Sequence, residues 1–402
     1  MPGKTEFVLM IASVMMLVAF GIDSMLPALP AIGNDLGVSD PNDRPIVISA
    51  FLAGFGVTLL MIGTISDRYG RRTPMMIGLL VFAIANVVAA LSQDFTQLLI
   101  ARFVQGMAAA CGQTVVRSVV RDRFSGRDMA QVMSLASTIF MAAPILAPAL
   151  GQIVLEFGPW RWIFHVLGLI CFGAWAWVAL RLPETLDPLN VTPINRANII
   201  ASARVVLTDR MSMGYSIAMA MMSCALYGFL LSVQQIFEIG FKRPDFLPIG
   251  FAIMASGMAA ASLINAGIVQ RFGMRRIGHI GLMWFTGVAV IHAIVALSGH
   301  ETMASFIALQ TAMMLGFAFS VGNFGAMAME NMGRVAGMAS SIQGTIGNLA
   351  GVVMGSLIGQ AFDGTTAPLY IGFTLAGFAA LATVFMTEGG RFFAARHEVQ
   401  GA

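Results

Sequence analysis

Long apolar stretches alternate with short polar segments along almost the whole chain. Each apolar stretch runs for about 20 residues, the length that an α-helix needs to cross the hydrocarbon core of a bilayer. The first stretch is too long for a cleavable signal peptide and lacks a small-residue cleavage site. The pattern predicts twelve membrane spans, at about 7–30, 45–66, 74–92, 96–119, 129–155, 162–181, 212–236, 246–269, 277–298, 302–325, 336–360 and 366–387.

Composition excludes a water-soluble protein. Hydrophobic residues make up 57% of the 402 residues and charged residues only 11%, whereas soluble domains carry about 25% charged residues. A soluble enzyme, a disordered regulator and a fibrous protein are excluded, and the chain is predicted to be an all-α polytopic membrane protein. The net charge of +3 does not indicate nucleic-acid binding, because the basic residues form short clusters between apolar stretches.

The longest polar interruption divides the predicted spans into six and six. The predicted units are a six-helix bundle at 1–181, a linker at 182–210 and a second six-helix bundle at 211–402. Most of the 23 Lys and Arg residues fall in loops on one side of the membrane, which is therefore predicted to be cytoplasmic and to hold both termini. The opposite side has only Arg44, Arg161, Lys242 and Arg243.

The two halves carry weak internal repeats. Residues 67–72, between predicted spans 2 and 3, have a degenerate copy at 270–275. Small residues spaced four apart let two helix backbones approach closely, and such ladders predict either plain packing or a contact that slides or rocks. Repeated six-helix units are a transporter architecture. The ladders are Ala143, Ala147 and Gly151 in span 5, and Gly347, Gly351 and Gly355 in span 11.

A charged motif fills the predicted loop between spans 2 and 3. It reads Gly63-Thr-Ile-Ser-Asp67-Arg68-Tyr-Gly70-Arg71-Arg72. This order resembles the loop signature of the major facilitator superfamily. The resemblance implies a charge latch that holds the cytoplasmic side closed, carried by Asp67, Arg71 and Asp122. Because Gln270 stands at the acidic position of the second copy, the latch is expected in the first half only. The alternative is a solvated cluster of positive-inside charges.

Further segments narrow the resemblance to the bicyclomycin-resistance (Bcr/CflA) type of drug:proton antiporters. Residues 102–106 are similar to the span 4 signature of proton-coupled members, and 143–151 to a relaxed antiporter signature in span 5. That signature departs from the family pattern at Gln152, where a second glycine is common. The segments are Arg102-Phe-Val-Gln105-Gly106, Ala143-Pro144-Ile-Leu-Ala147-Pro148-Ala-Leu-Gly151, Gly21-Ile22-Asp23, Arg121-Asp122 and Leu182-Pro183-Glu184-Thr185-Leu186.

Asp23 is the one acidic residue placed well inside a predicted span, and Arg102 is the one basic residue so placed. Counting helical rise puts both about 10–12 Å below the outer surface. A charge in the bilayer core costs at least about 2.5 kcal/mol on insertion scales, so the two groups are expected to be coupled. Burial disfavours a charged carboxylate and a nearby arginine favours it. The pair is predicted to act as a proton switch; the alternative is a static pair that sets helix packing.

Other polar residues within spans are candidates for substrate contacts. In the facilitator fold, helices 1, 4, 7 and 10 line the cavity, so the resemblance implies contacts from Gln105, Gln113, Tyr227, Gln234 and Asn323. For each of them an interhelical hydrogen bond is the alternative. The 30 Met and 29 Phe residues suit an adaptable apolar pocket and equally a lipid-facing surface.

The chemistry of the chain favours transport over catalysis. A phosphate-binding Gly-x-x-x-x-Gly-Lys motif and metal-ligand histidine spacing are absent, so neither a cofactor nor a metal is expected and the proton gradient is the expected energy source. The chain is predicted to be a monomeric, multi-pass protein of the bacterial cytoplasmic membrane. Its expected partners are a small-molecule substrate, protons and the lipid bilayer, with no obligate protein partner and no nucleic acid. The predicted function is proton-coupled efflux of small lipophilic drugs by alternating access; the alternative is proton-coupled import of a metabolite.

Overall fold

Twelve segments are long and apolar enough to cross a membrane among residues 2–187, 189 and 196–393, the part of the chain that the computed structural model describes. These described residues contain helices and no β-strand, so the prediction of an all-α protein with twelve spans is confirmed. The spans, numbered in chain order, are Lys4–Asp35, Pro41–Tyr69, Arg72–Ala90, Phe95–Arg123, Gly126–Phe157, Arg161–Arg181, Arg210–Gly240, Pro244–Phe272, Met274–Leu297, Met303–Ala328, Gly333–Gln360 and Ala367–Thr387.

Spans 1, 5 and 7 are not single continuous α-helices. Span 1 consists of the helices Lys4–Asp23 and Leu29–Asp35, joined by a 3-10 turn over Leu26–Ala28. Span 5 breaks between Gly126–Phe140 and Ala143–Phe157, beside Pro144, which has no backbone N–H to continue the first helix. Span 7 ends in one π-helical turn, at 236–240. The first two breaks place Asp23 and Pro144 at kinks.

The spans pack mainly within two groups, spans 1–6 and spans 7–12. The groups meet along two seams, where span 2 packs against span 11 and span 5 against span 8. A linker helix, Arg196–Thr208, packs on spans 7 and 11 and buries Val206 there. The domain boundaries at 181 and 210 stay predictions. Positions 188 and 190–195 of the predicted linker, and 394–402 of the predicted second bundle, lie outside the described residues.

The start of span 1 and the end of span 12 lie on the same side of the bundle, because twelve spans separate them. On this side the Lys4 ammonium lies 2.7 Å from the Asp128 carboxylate, at the start of span 5. Arg210, at the start of span 7, donates a hydrogen bond to the carbonyl of Met386 in span 12. We call this side the terminal face and the other side the opposite face. Which of them is cytoplasmic stays a prediction.

Spans 2 and 4 pack backbone against backbone because glycines face each other across the contact. A Cβ atom added at Gly106 would lie 1.8 Å from the Phe51 carbonyl oxygen, and one at Gly54 would lie 2.0 Å from that of Phe103. No larger residue fits at either position without separating the helices. This approach brings Arg102 of span 4 within reach of the backbone of span 2.

Candidate functional site

A cavity of about 280 Å³ lies between the two groups of spans. Residues of spans 1, 2, 4, 5, 7, 8, 10 and 11 line it, and most of them are apolar. The polar exceptions are Asp23, Gln113, Tyr227 and Asn348. A largely apolar cavity with a few polar groups is typical of a site for a small molecule, which we call the central cavity.

Asp23 presents the only carboxyl group in the lining of the central cavity. It ends the helix Lys4–Asp23 and is 5% exposed. No hydrogen bond or ion pair to its carboxyl group is found within the described part of the chain. A charged carboxylate is costly in such surroundings unless something pairs with it. Asp23 can therefore hold a proton when the cavity is empty of a cation.

Arg102 is fully buried beside the central cavity but does not pair with Asp23. Its guanidinium donates hydrogen bonds to the carbonyl oxygens of Val47 at 3.1 Å and Gly21 at 2.8 Å, and to the side-chain oxygen of Gln105 at 2.8 Å. These bonds use three of the five guanidinium N–H groups, and the expected direct contact with Asp23 is not formed in this conformation. Arg102 instead holds the helix of Asp23 through a carbonyl two residues before the acid.

Two of the five predicted substrate contacts, Gln113 and Tyr227, line the central cavity. The Tyr227 hydroxyl accepts a hydrogen bond of 2.9 Å from the Asn348 amide, and Asn348 also lines the cavity. The side-chain oxygens of Gln113 and Asn348 are buried without a partner in the described residues, so both are free to accept from a ligand. Sequence reasoning missed Asn348, because the resemblance assigned the cavity to spans 1, 4, 7 and 10 and Asn348 lies in span 11.

The other three predicted contacts are not part of the cavity lining. Gln105 accepts from Arg102, as described above. The Gln234 amide donates to Glu238 at 2.6 Å, close to the opposite face. The Asn323 amide donates to Asn265 at 2.8 Å, across spans 8 and 10. Of these three, only Asn323 makes the interhelical hydrogen bond that was the alternative, because the bonds of Gln105 and Gln234 lie within spans 4 and 7.

A second cavity of about 360 Å³ extends from the central cavity toward the terminal face, and we call it the vestibule. It shares Phe55 and Gln113 with the central cavity and lies between spans 2 and 4 on one side and span 11 on the other. A separate apolar lobe of about 280 Å³ shares Phe140, Pro144 and Met258 with the central cavity. The vestibule and the apolar lobe therefore adjoin the central cavity.

Contacts between the two groups close the opposite face. The Arg44 guanidinium of span 2 lies 3.7 Å from the Glu238 carboxylate of span 7. The Asn42 amide donates to the Phe362 carbonyl at 2.9 Å, just beyond span 11. The Gln235 amide also donates to the carbonyl of Pro41. The two groups are thus joined at the opposite face, whereas the vestibule adjoins the cavity on the terminal side.

The structure brings the three predicted latch residues together. Arg71 donates to Asp67 at 2.5 Å and to Asp122 at 2.8 Å. Glu184 accepts from the backbone N–H groups of Arg71 at 2.8 Å and Arg72 at 3.1 Å. Although burial acts in the opposite direction, these partners raise the pKa of Arg71 and lower the pKa of Glu184. All these contacts lie within the first group of spans.

The second half also has a charge cluster, which the absence of an acid at Gln270 did not predict; the latch role of either cluster stays a prediction. Arg275, in the degenerate copy of the motif, lies 2.7 Å from Glu330 and 3.2 Å from Glu388. The Tyr215 hydroxyl donates to Glu388 at 2.5 Å. The prediction of a latch in the first half only rested on position 270, where the motif copy has glutamine in place of the acid. The acids come instead from just beyond the ends of spans 10 and 12, as Asp122 and Glu184 do from the ends of spans 4 and 6.

The remaining motif residues have distinct surroundings. Gly70 has φ of +91°, which a larger residue rarely adopts, and a Cβ atom there would lie 2.4 Å from the Glu184 carboxylate. Gly63 lines the vestibule, where an added Cβ would lie 3.4 Å from the Ser341 hydroxyl. Arg72 also donates to the Ala179 carbonyl at 2.7 Å, and Arg68 is exposed.

Both small-residue ladders pack within one group of spans. A Cβ atom added at Gly151 would lie 2.1 Å from the Ser24 carbonyl of span 1, and one at Gly351 would lie 2.6 Å from the Tyr227 ring of span 7. One at Gly355 would lie 2.8 Å from the backbone of span 7, whereas Gly347 has nothing within 4 Å. Neither ladder lies on a seam between the groups, so their placement favours the packing interpretation over a sliding contact. Ala147 and Pro148 are buried in the span 5 ladder.

These features are those of a polytopic membrane protein with a cavity between two groups of spans. A model of the Major Facilitator Superfamily matches residues 11–355, and the chain belongs to this family. No group of three or more His, Cys, Asp or Glu residues in the described ranges is placed to hold a metal ion.

Two bacterial proteins are similar to this chain over most of its length. The chain is 30% identical to a "Bicyclomycin resistance protein homolog" of Haemophilus influenzae, covering 95% of this chain and 96% of the relative. It is also 30% identical to the "Multidrug resistance protein MdtL" of Klebsiella pneumoniae, covering 85% of each chain. The structure of the xylose transporter XylE from E. coli in a partially occluded inward-open conformation matches with a TM-score of 0.76 at 11% identity, covering 98% of this chain and 99% of XylE. That likeness concerns the fold alone.

Proposed function

We propose that this protein is a proton-coupled exporter of small lipophilic compounds, antibiotics among them, in the bacterial cytoplasmic membrane. The observation that carries the proposal is Asp23, an unpaired acid in an apolar cavity between the two groups of spans. The names of the bicyclomycin- and multidrug-resistance relatives support a drug as the substrate. The protein works as a monomer, since the cavity lies within one chain.

The conformation corresponds to the inward-facing state of an exporter if the terminal face is cytoplasmic, as the charge asymmetry of the loops predicts. Substrate enters from the cytoplasm through the vestibule and reaches the central cavity, where Asp23 holds a proton. A substrate that donates hydrogen bonds to the Asp23 carboxylate stabilises its charged form, so binding favours release of that proton to the cytoplasm. The opposite face then opens as the contact between Arg44 and Glu238 separates. Proton uptake from outside returns the protein to the inward-facing state.

Arg102 transmits the protonation state of Asp23 to the neighbouring spans. It is hydrogen-bonded to the backbone of span 1 at Gly21 and of span 2 at Val47. A small rotation of the helix that ends at Asp23 must therefore strain or break one of these bonds. This links the proton site to span 2, which forms one of the two seams between the groups.

The two charge clusters act as latches for the terminal side. Each ties the loop after the second span of its half to the ends of later spans, through Arg71 in the first half and Arg275 in the second. In the inward-facing state each cluster makes its bonds within its own half. They keep each half rigid while the vestibule is open, and the charged loops approach one another when it closes.

Transport assays in everted membrane vesicles test the proposal. Cells that lack their own drug pumps express the wild type, Asp23→Asn, or Asp43→Asn as a matched control at the opposite-face end of span 2. We expect the wild type to move chloramphenicol or another drug of a panel into everted vesicles in exchange for protons, and to protect growing cells. Asp23→Asn abolishes this exchange and Asp43→Asn keeps it. Drug movement in the same direction as the protons would instead establish an importer.

A further inference from the structure

Two arginines of span 4 lie in the wall of the vestibule. Arg117 and Arg121 are one helical turn apart and both line the cavity, across from Ser340 and Ser341 of span 11. No hydrogen bond or ion pair of the Arg117 side chain occurs among the residues that the structure describes. The Arg121 guanidinium comes no closer than 4.0 Å to its neighbour Asp122, and its side chain is 56% exposed. Both positive charges are therefore available to molecules in the vestibule.

The only acidic residue in this lining does not offset them. Asp67 is bound at 2.5 Å to Arg71, which is also bound to Asp122. The lining is therefore positive overall. A water-filled cleft with low-dielectric walls focuses the field of its charges and changes the local concentration of charged solutes. The hydroxyls of Ser340 and Ser341 add hydrogen-bond donors on the other wall.

We propose that the vestibule is a charge filter, in which Arg117 and Arg121 admit neutral and anionic lipophilic molecules and disfavour lipophilic cations. This inference rests on the proposed function only in taking the terminal face as the substrate entrance. A lone acid such as Asp23 would by itself favour cationic substrates. Because a substrate must pass the arginines first, few cations reach Asp23, which stays available to bind a proton. The vestibule thus adds a preference for neutral and anionic substrates that the central cavity alone does not have.

The field in the vestibule is measured without any transport. Ser340→Cys is introduced into a protein whose native cysteines, Cys111, Cys171 and Cys224, are replaced by serine. The reaction rates of an anionic sulfonatoethyl and a cationic trimethylammonioethyl methanethiosulfonate are compared, each divided by its rate with free 2-mercaptoethanol. We expect the anionic reagent to have the higher normalised rate. Arg117→Gln should lower the ratio of the anionic to the cationic rate several-fold. Added salt weakens the preference, because it screens exposed charges.

Arg127→Gln serves as the control, since Arg127 is a basic residue near the terminal face that does not line the vestibule. It should leave the ratio of the two rates unchanged. A cysteine at position 340 that favours the cationic reagent, or a ratio that Arg117→Gln does not alter, overturns the filter. Neither result depends on whether the protein exports drugs.

A growth assay tests the same filter through added protection against a cationic compound. A misfolded variant cannot produce such a gain of function. Cells expressing the wild type should be protected against neutral chloramphenicol more than against cationic ethidium. Arg117→Gln should add protection against ethidium, and Arg127→Gln should not. Equal wild-type protection against both compounds contradicts the filter. Failure to protect against any drug of the panel contradicts the proposed function instead, and the labelling rates still decide the filter.

Discussion

Alanine substitutions at Gly351 and Gly347 compare a tightly packed position with one that has free space around it. The new methyl carbon would lie 2.6 Å from the Tyr227 ring and 2.9 Å from the Ser223 Cβ, so the ring must withdraw by several tenths of an ångström. Overpacking of this kind costs about 1–3 kcal/mol, whereas alanine gains about 1 kcal/mol over glycine within a helix. At Gly347, one turn away, nothing lies within 4 Å, so alanine brings only the gain.

Thermal unfolding of the purified variants in detergent gives the comparison. Gly351→Ala should lower Tm and weaken substrate binding, because Tyr227 lines the central cavity and is hydrogen-bonded to Asn348. Gly347→Ala should keep or raise Tm and leave binding unchanged. Removing the ring should cancel the penalty, so Gly351→Ala costs less when combined with Tyr227→Ala. Equal Tm shifts for the two alanine variants, or no relief in the double variant, would refute the packing argument.

Three further predictions concern charged residues. Folding lowers the pKa of Glu184 below its usual value of about 4.5. The contribution of its carboxylate to stability is therefore full above pH 4.5 and is lost as the pH falls through the lower pKa of the folded state. Acid unfolding should show this loss in the wild type and not in Glu184→Gln. Arg44→Gln and Glu238→Gln should each weaken closure of the opposite face, seen as faster labelling of a cysteine in the central cavity from that side; unchanged labelling counts against the gate. Arg102→Lys keeps the charge but replaces three guanidinium nitrogens, each bonded to a different acceptor, with one ammonium nitrogen, so transport should fall sharply, and wild-type transport would show that charge alone suffices.

The twelve spans were predictable because each is a long apolar run, and length alone separates such runs from soluble helices. The interruptions of the helices within the spans were harder to predict from the sequence. Pro144 marks the interruption of span 5, but no comparable signal marks the π-helical turn at 236–240. Asp67 and Arg71 belong to one contiguous motif, and the family resemblance added Asp122 from span 4. The cluster around Arg275 was not predictable, because the repeat is degenerate and has Gln270 at the acidic position.

Single residues of the candidate site were predictable from the sequence, but the contacts of those residues were not. Asp23 and Arg102 stand out because each is a lone charge within an apolar run. Hydropathy says nothing of backbone carbonyls, and these are what Arg102 binds. Gln113 and Asn348 are both amides within spans, and only the packing of the helices decides that both reach the central cavity.

Proton release on substrate binding tests the central claim most directly. Purified protein in weakly buffered detergent solution near neutral pH is mixed with chloramphenicol, or with whichever drug the growth panel identifies, and a pH indicator records the protons released. We expect proton release from the wild type and none from Asp23→Asn, with the Asp43→Asn control behaving as the wild type. Equal release from wild type and Asp23→Asn would contradict the assignment of Asp23 as the proton site.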